Sequence, residues 1–281
     1  MISIVFGLGT ALCFAASSLI ASRAAKLIGS FPVVAWTMLI GLFLTLPFVV
    51  VSGIPDSATG ANLGWLLATG IGNVSGLVFA TFAYRVGKVG LITPILATEG
   101  ALAAVIAALL GESIAPIVGF LLVLIVAGIV LAAIAPDPEP LEHERPVVAV
   151  LLATGGAVVF GISLYSAAHL SGDMPISWVL LPARLVGTVA IALPLAITRR
   201  LTLTRRTLPM VVAMALAEVI GFTMFAIGAQ YEVAITSVLA SQFAPISAVL
   251  AFVLFKERLG RLQITGVVIL VLGVTALSIV S

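Results

Sequence analysis

KVGLITPILATEGALAAVIAALLGESIAPIVGFLLVLIVAGIVLAA, from Lys88 to Ala133, returns in altered form from Val233 to Ser278 as VAITSVLASQFAPISAVLAFVLFKERLGRLQITGVVILVLGVTALS. A shift of 145 positions lays Glu112 on Glu257 and Gly128 on Gly273. The same shift puts Ala103 on Ala248, Leu109 on Leu254, Gly76 on Gly221 and Asn73 on Glu218. Each copy is an apolar run, a short polar corner carrying a Glu, and a second apolar run. Matches of Ala or Leu mean little in so apolar a chain. Two Glu–Gly pairs at equal spacing mean more, and the remaining sequence reads as the other helices of two related halves.

Composition fixes the class. Of 281 residues, 62% are hydrophobic and only 9% charged, against about 25% charged in a soluble domain. No water-soluble packing buries that much apolar surface, so most of it faces lipid or another buried helix. The length suits a multi-span bundle and leaves no room for a soluble domain. The single cysteine, Cys13, excludes an internal disulfide. With only His143 and His169 beside it, a Cys/His metal site is not expected.

Ten segments of about 20 residues follow in order, each long enough to cross a ~30 Å hydrocarbon core. They cover about 2–22, 31–52, 61–83, 90–111, 115–135, 147–169, 174–197, 207–229, 233–255 and 260–280. The first is read as a span and not a signal peptide, since no basic region precedes its apolar run. Residues 136–146 (PDPEPLEHERP) form the one extended polar stretch. Proline removes a donor and disfavours helix in the residue before it, so this is an extended linker. The chain thus divides into 1–135, a linker at 136–146, and 147–281. Five helices per half is odd, so the second half enters from the opposite side. The expected fold is an all-α membrane protein of ten transmembrane helices in two inverted five-helix repeats, the usual basis of alternating access.

Those ten helices, with GES at 111–113 and KER at 256–258 joining the last two of each repeat and a late Gly at 128 and 273, resemble the EamA-type branch of the drug/metabolite transporter superfamily. The resemblance covers essentially the whole chain. It implies movement of small organic solutes, often amino acids or other metabolites, without nucleotide hydrolysis. No phosphate-binding Gly-Lys loop occurs, in agreement.

Charge sets the expected orientation. Of 13 Lys and Arg residues, twelve fall at corners after odd-numbered spans: Arg23, Lys26, Arg85, Lys88, Arg145, then 199–200 and 205–206, then Lys256, Arg258 and Arg261. The opposite corners hold only Asp56, Glu112, His169, Asp173 and Glu232. The positive-inside rule makes the basic face cytoplasmic and both termini extracytoplasmic. The usual family arrangement has cytoplasmic termini, so charge and resemblance disagree here. A multi-pass location in a prokaryotic inner membrane is expected.

Three charges fall in mid-span: Glu99, Arg184 and Glu218. Each costs about 2.5–3.5 kcal/mol at the bilayer centre even on the lenient insertion scale, so each faces a cavity or a partner. The functional reading is a central solute site, with Arg184 on an anionic group and the glutamates on a cation or a proton. The structural reading is a buried ion pair, or a glutamic acid hydrogen-bonded between helices. Pro182 leaves the Trp178 carbonyl without its helical donor close to Arg184. Thr69, Asn73, Gly76 and Ala80 form a small, partly polar stripe, and Ser237, Ser241, Ala244 and Ala248 form another with Gln242 beside it. Close helix packing explains such stripes, with Asn73 and Gln242 the expected exceptions. Ser17, Ser18, Tyr165 and Ser166 are weaker candidates of the same kind. Trp36, Trp65 and Trp178 sit near helix starts as interfacial anchors, Trp36 and Trp178 also as candidate cavity walls. Glu112 and Glu257 are expected to cap the helices that follow them.

The expected substrate-binding set is therefore Arg184, Glu218, Glu99, Asn73, Gln242, Trp36 and Trp178. No catalytic residue, metal or cofactor is expected, because no His or Cys has a partner at useful spacing. The function expected is secondary transport of small organic solutes, such as amino acids or related amphipathic metabolites, in the export direction. The alternatives are a lipid-translocating or structural membrane protein and, behind them, a membrane enzyme. Expected partners are the solute, protons and the bilayer, with no nucleic acid, in a monomer or homodimer.

Overall fold

The computed structural model describes residues 1–111, 116–134, 144–171, 174–229, 231, 236, 239–240 and 242–280. Among these the regular structure is helical. In the first half α1 spans Ile2–Ile28, α2 Ser30–Ser52, α3 Gly60–Val86, α4 Val89–Leu96, α5 Glu99–Leu109 and α6 Pro116–Ile134. The second half has α7 at Pro146–Ser171, α8 at Ile176–Gly187, a π-helical turn at Thr188–Ala192 and α9 at Leu193–Ile197. It continues with α10 at Leu208–Ala229, α11 at Phe243–Phe255 and α12 at Arg261–Val280. Six stretches are long and apolar enough to cross a membrane: 2–28, 30–52, 62–86, 146–170, 176–197 and 208–228. Shorter apolar helices lie at 89–103, 116–131, 243–255 and 261–277. The outer surface is apolar along these helices, with Phe43, Phe48, Phe120 and Phe252 all exposed. A surface of that kind is stable only against hydrocarbon.

The expected continuous helix over 90–111 is broken. Pro94 has no N–H to continue the ladder. The Ile95 carbonyl is then taken by the Thr98 N–H at 3.1 Å and the Thr98 hydroxyl at 2.7 Å. Nothing remains there for the N–H of Glu99, so α4 stops and α5 starts anew. In the second half the chain tightens one residue short of the position that a shift of 145 gives, where Gln242 donates its backbone N–H to the Leu239 carbonyl at 3.2 Å before α11 begins. The span over 174–197 is also interrupted, by the π-turn through which Leu193 donates to the Thr188 carbonyl. Pro194, at the start of α9, cannot donate to the carbonyl one turn earlier.

Basic corners meet at one end of the bundle. Thr202 accepts the Trp36 indole N–H at 3.1 Å and donates its hydroxyl to Ile28 at 3.4 Å. Arg23 lies over the Phe255 ring at 4.6 Å, and Arg145 donates its backbone N–H to Val86 at 2.8 Å. At the other end, Trp178 donates to the Gly53 carbonyl at 2.8 Å, and Trp65 stacks on His169 at 4.5 Å. These contacts give the helices direction: α1 and α3 finish at the basic end, whereas α7 begins there.

The two glycines that mark the sequence repeat pack one helix on the other. A Cβ on Gly128 of α6 would stand 3.1 Å from the Leu270 side chain of α12, and one on Gly273 of α12 would stand 2.7 Å from Ile125 of α6. Since 125 and 128 become 270 and 273 under the 145-residue shift, each contact is the image of the other, as across a twofold axis. Glu112 itself lies outside the described residues, as do Ser237, Ser241 and most of the linker.

Glu257 does not cap the helix that follows it. Its carboxylate accepts the Gly90 N–H at 3.1 Å, in the first turn of α4. The start of α12 is closed instead by Gln263, whose side chain accepts the Gly260 N–H at 2.8 Å, half of a capping box. The left-handed conformation of Lys256 turns the chain between α11 and α12. Lys88, counted above among the basic corner residues, is buried here. Its ammonium donates to the Arg258 carbonyl at 2.6 Å and lies 3.9 Å from the Glu144 carboxylate. Both halves are therefore tied together at the basic end.

Candidate functional site

Six stretches of chain converge on a cavity of ≈ 110 Å³ inside the bundle. From the first half come Phe14, Ser17 and Ser18 of α1, Asn73 and Leu77 of α3, and Leu96 and Glu99 on either side of the helix break. From the second half come Phe160 of α7, then Met214, Glu218 and Phe222 of α10, and Phe243 opening α11. Under the 145-residue shift Asn73 falls on Glu218 and Leu77 on Phe222, and all four line the cavity. The volume admits on the order of ten waters, enough for a small organic solute.

Two mid-span charges are paired. The Arg184 guanidinium donates through Nη1 to Glu218 Oε2 at 3.0 Å and touches the Met38 sulfur at 3.5 Å. Arg184 is 1% exposed. It crosses α2 at Gly41, where a Cβ would stand 2.9 Å from Nε. Only a glycine leaves that passage open. Nε has no hydrogen-bond partner among the described residues. The cavity therefore meets Glu218, with Arg184 behind it. Glu99 differs: among the described residues its carboxylate has no hydrogen bond or ion pair, and neither has the Asn73 amide.

The other candidates fall elsewhere. Gln242 donates to the Thr275 hydroxyl of α12 at 3.2 Å, away from this cavity. Trp36 and Trp178 bond to backbone carbonyls at opposite ends of the bundle, as anchors would. Tyr165 packs edge-on against Trp65 at 5.9 Å, and the Ser166 hydroxyl returns to its own helix at 2.8 Å. The α3 stripe divides: Asn73 and Ala80 line the cavity, while Gly76 admits the Phe160 ring, 2.5 Å from where its Cβ would be. Pro182 packs its backbone against Gly70 of α3. Absent from the sequence reading were Phe14, Tyr84, Phe160, Phe222 and Phe243, all of which line the cavity. A usable signal existed for one of them, since Phe222 stands one turn beyond Glu218 as Leu77 stands beyond Asn73.

The sequence profile of the EamA-like transporter family matches residues 1–134 and again 147–279. The chain belongs to this family. Two matches in one chain give the EamA-like protein its two-repeat architecture and make it a multi-pass membrane protein of a transporter family, not an enzyme family. A solved structure described only as "Crystal structure of protein" shares the fold at a TM-score of 0.64 and 16% identity, over 97% of this chain and 94% of that one. No curated protein matches.

Proposed function

We propose that this EamA-like protein is a secondary transporter that carries small organic solutes through the central cavity by alternating access, in the export direction. Ten spans in two inverted repeats are part of the proposal. Supporting them are the reciprocal Gly128 and Gly273 contacts, and the opposite directions of α1 and α7 from the basic end. The observation that carries the reading is the cavity's position. It is lined from both repeats by shift-related residues, around a broken helix and two acidic side chains. Alternating access needs a fixed site between repeats that both gates can reach.

Within that site Glu99, Glu218 and Asn73 contact the solute, and Arg184 holds the Glu218 carboxylate in place. Gln242, Trp36 and Trp178 act outside the cavity, supporting helix packing and the membrane boundary. The basic end faces the cytoplasm. There Lys88, Glu257 and the Arg258 carbonyl hold the repeats together on one side of the cavity. Counterflow in proteoliposomes tests the function: a preloaded solute drives uptake of labelled solute only through a carrier. Trans-stimulated uptake supports it. Flux indifferent to the trans solute, or lipid scrambling without solute flux, refutes it.

A further inference from the structure

The geometry points to a monovalent organic cation with a flat or apolar body as the solute class that this cavity takes. The inference rests on the cavity being the solute site and adds the sign of the charge it accepts. Count the charges that face the space. Glu218 is matched by Arg184 at 3.0 Å and contributes no net charge. Among the described residues no Lys, Arg or His lines the cavity. Glu99 remains, lining the cavity with no counter-charge among the described residues. The helix break adds nothing of consequence, because the partly negative end of α4 and the partly positive end of α5 meet there and oppose each other. One uncompensated carboxylate is left facing the cavity, and it is matched by one positive charge in the ligand.

The walls give the second, independent observation. Phe14, Phe160, Phe222 and Phe243 surround the space together with Tyr84, whose hydroxyl is engaged with Thr93 at 3.2 Å. Phe14 holds Phe222 edge-on at 5.0 Å and Phe243 edge-on at 6.0 Å. Edge-to-face pairs set neighbouring rings at steep angles, so such a cluster has ring faces as well as edges to offer a ligand. A carboxylate among aromatic rings is the surrounding in which ammonium groups bind, by charge pairing and by cation–π attraction. An anion would meet Glu99 and aromatic walls with no free cation among the described residues to hold it. A zwitterion would find a partner for its ammonium and only the Asn73 amide for its carboxylate.

The test uses the full-length protein in detergent and three probes of similar size: benzyltrimethylammonium, L-phenylalanine and 3-phenylpropionate. Binding is measured by equilibrium dialysis of labelled probe and by competition. The expected order of affinity is cation, then zwitterion, then anion. Glu99→Gln weakens benzyltrimethylammonium by at least about thirtyfold, as loss of a buried charge partner does. Should Glu99→Gln not fold, Phe222→Leu serves, with an expected loss of roughly two- to thirtyfold for the cation. Equal or tighter binding of 3-phenylpropionate by wild type overturns the inference whatever the variants do. So does undiminished cation binding in a folded Glu99→Gln protein. Cation binding without solute counterflow leaves this inference standing and removes the transport reading. Counterflow of phenylalanine that the cation fails to inhibit keeps transport and overturns the inference.

Discussion

Arg184 and Glu218 decide most at the scale of single residues. The pair is buried, so removing one partner leaves an uncompensated charge in the bundle. Arg184→Ala is expected to cost about 3–5 kcal/mol of stability, and Arg184→Met with Glu218→Leu to recover most of it. Thermal unfolding in detergent measures both. Both proteins are expected to lose flux: in the first, Glu218 is no longer held by Arg184, and in the second the cavity has lost that carboxylate. An Arg184→Ala protein as stable as wild type would break the pairing account. The mid-span charges stood out in the sequence, since a charge in an apolar helix needs a reason. Which charge met which did not, because Arg184 reaches α10 only through the space that Gly41 leaves in α2. The aromatic walls were illegible for another reason: a phenylalanine facing a cavity and one facing lipid are the same letter in the same apolar run.

Helices and their joints come next. Most spans follow from hydropathy and length, because in hydrocarbon a run of apolar residues can satisfy its backbone only as helix. The breaks do not. Pro94 lies in the helix that stops before Glu99, yet proline also sits inside α2 at Pro47 without ending that helix. Thr98 makes the difference by taking the Ile95 carbonyl twice. The reversed role of Glu257 was hidden too, since its partner Gly90 is 167 residues away. At the α6–α12 contact, Gly128→Val would place a branched side chain against the Gly266 carbonyl, 3.0 Å from the new Cβ. Backbone cannot step aside as a side chain can. We expect a loss of about 1–3 kcal/mol, against no measurable loss for Gly119→Ala on the same helix, where nothing stands near the Cβ. Denaturation of the two variants side by side checks the contrast. Glu257→Ala takes the acceptor from the Gly90 N–H and is expected to cost about 1–3 kcal/mol. It should also expose the basic end, seen as faster thiol labelling of a cysteine placed at Ser22.

The whole molecule has an orientation and a working cycle. With Cys13 replaced, a cysteine at Ile54 is expected to react with an impermeant thiol reagent in intact cells. One at Thr202 is expected to react only after permeabilisation, given the proposed cytoplasmic placement of the basic end. The reverse pattern would invert the protein in the membrane and leave its repeats intact. The repeat itself was legible from two Glu–Gly pairs 145 residues apart, and so was the two-halved plan. The central cavity was legible only in Glu99, Glu218 and Asn73, because its walls arise only when α1, α3, α7 and α10 pack together. Counterflow in proteoliposomes bears on the central claim most directly, run with wild type and with a Glu99→Gln protein of unchanged melting temperature. The account predicts trans-stimulated uptake by wild type and its loss in the variant. Equal counterflow by both proteins would contradict it.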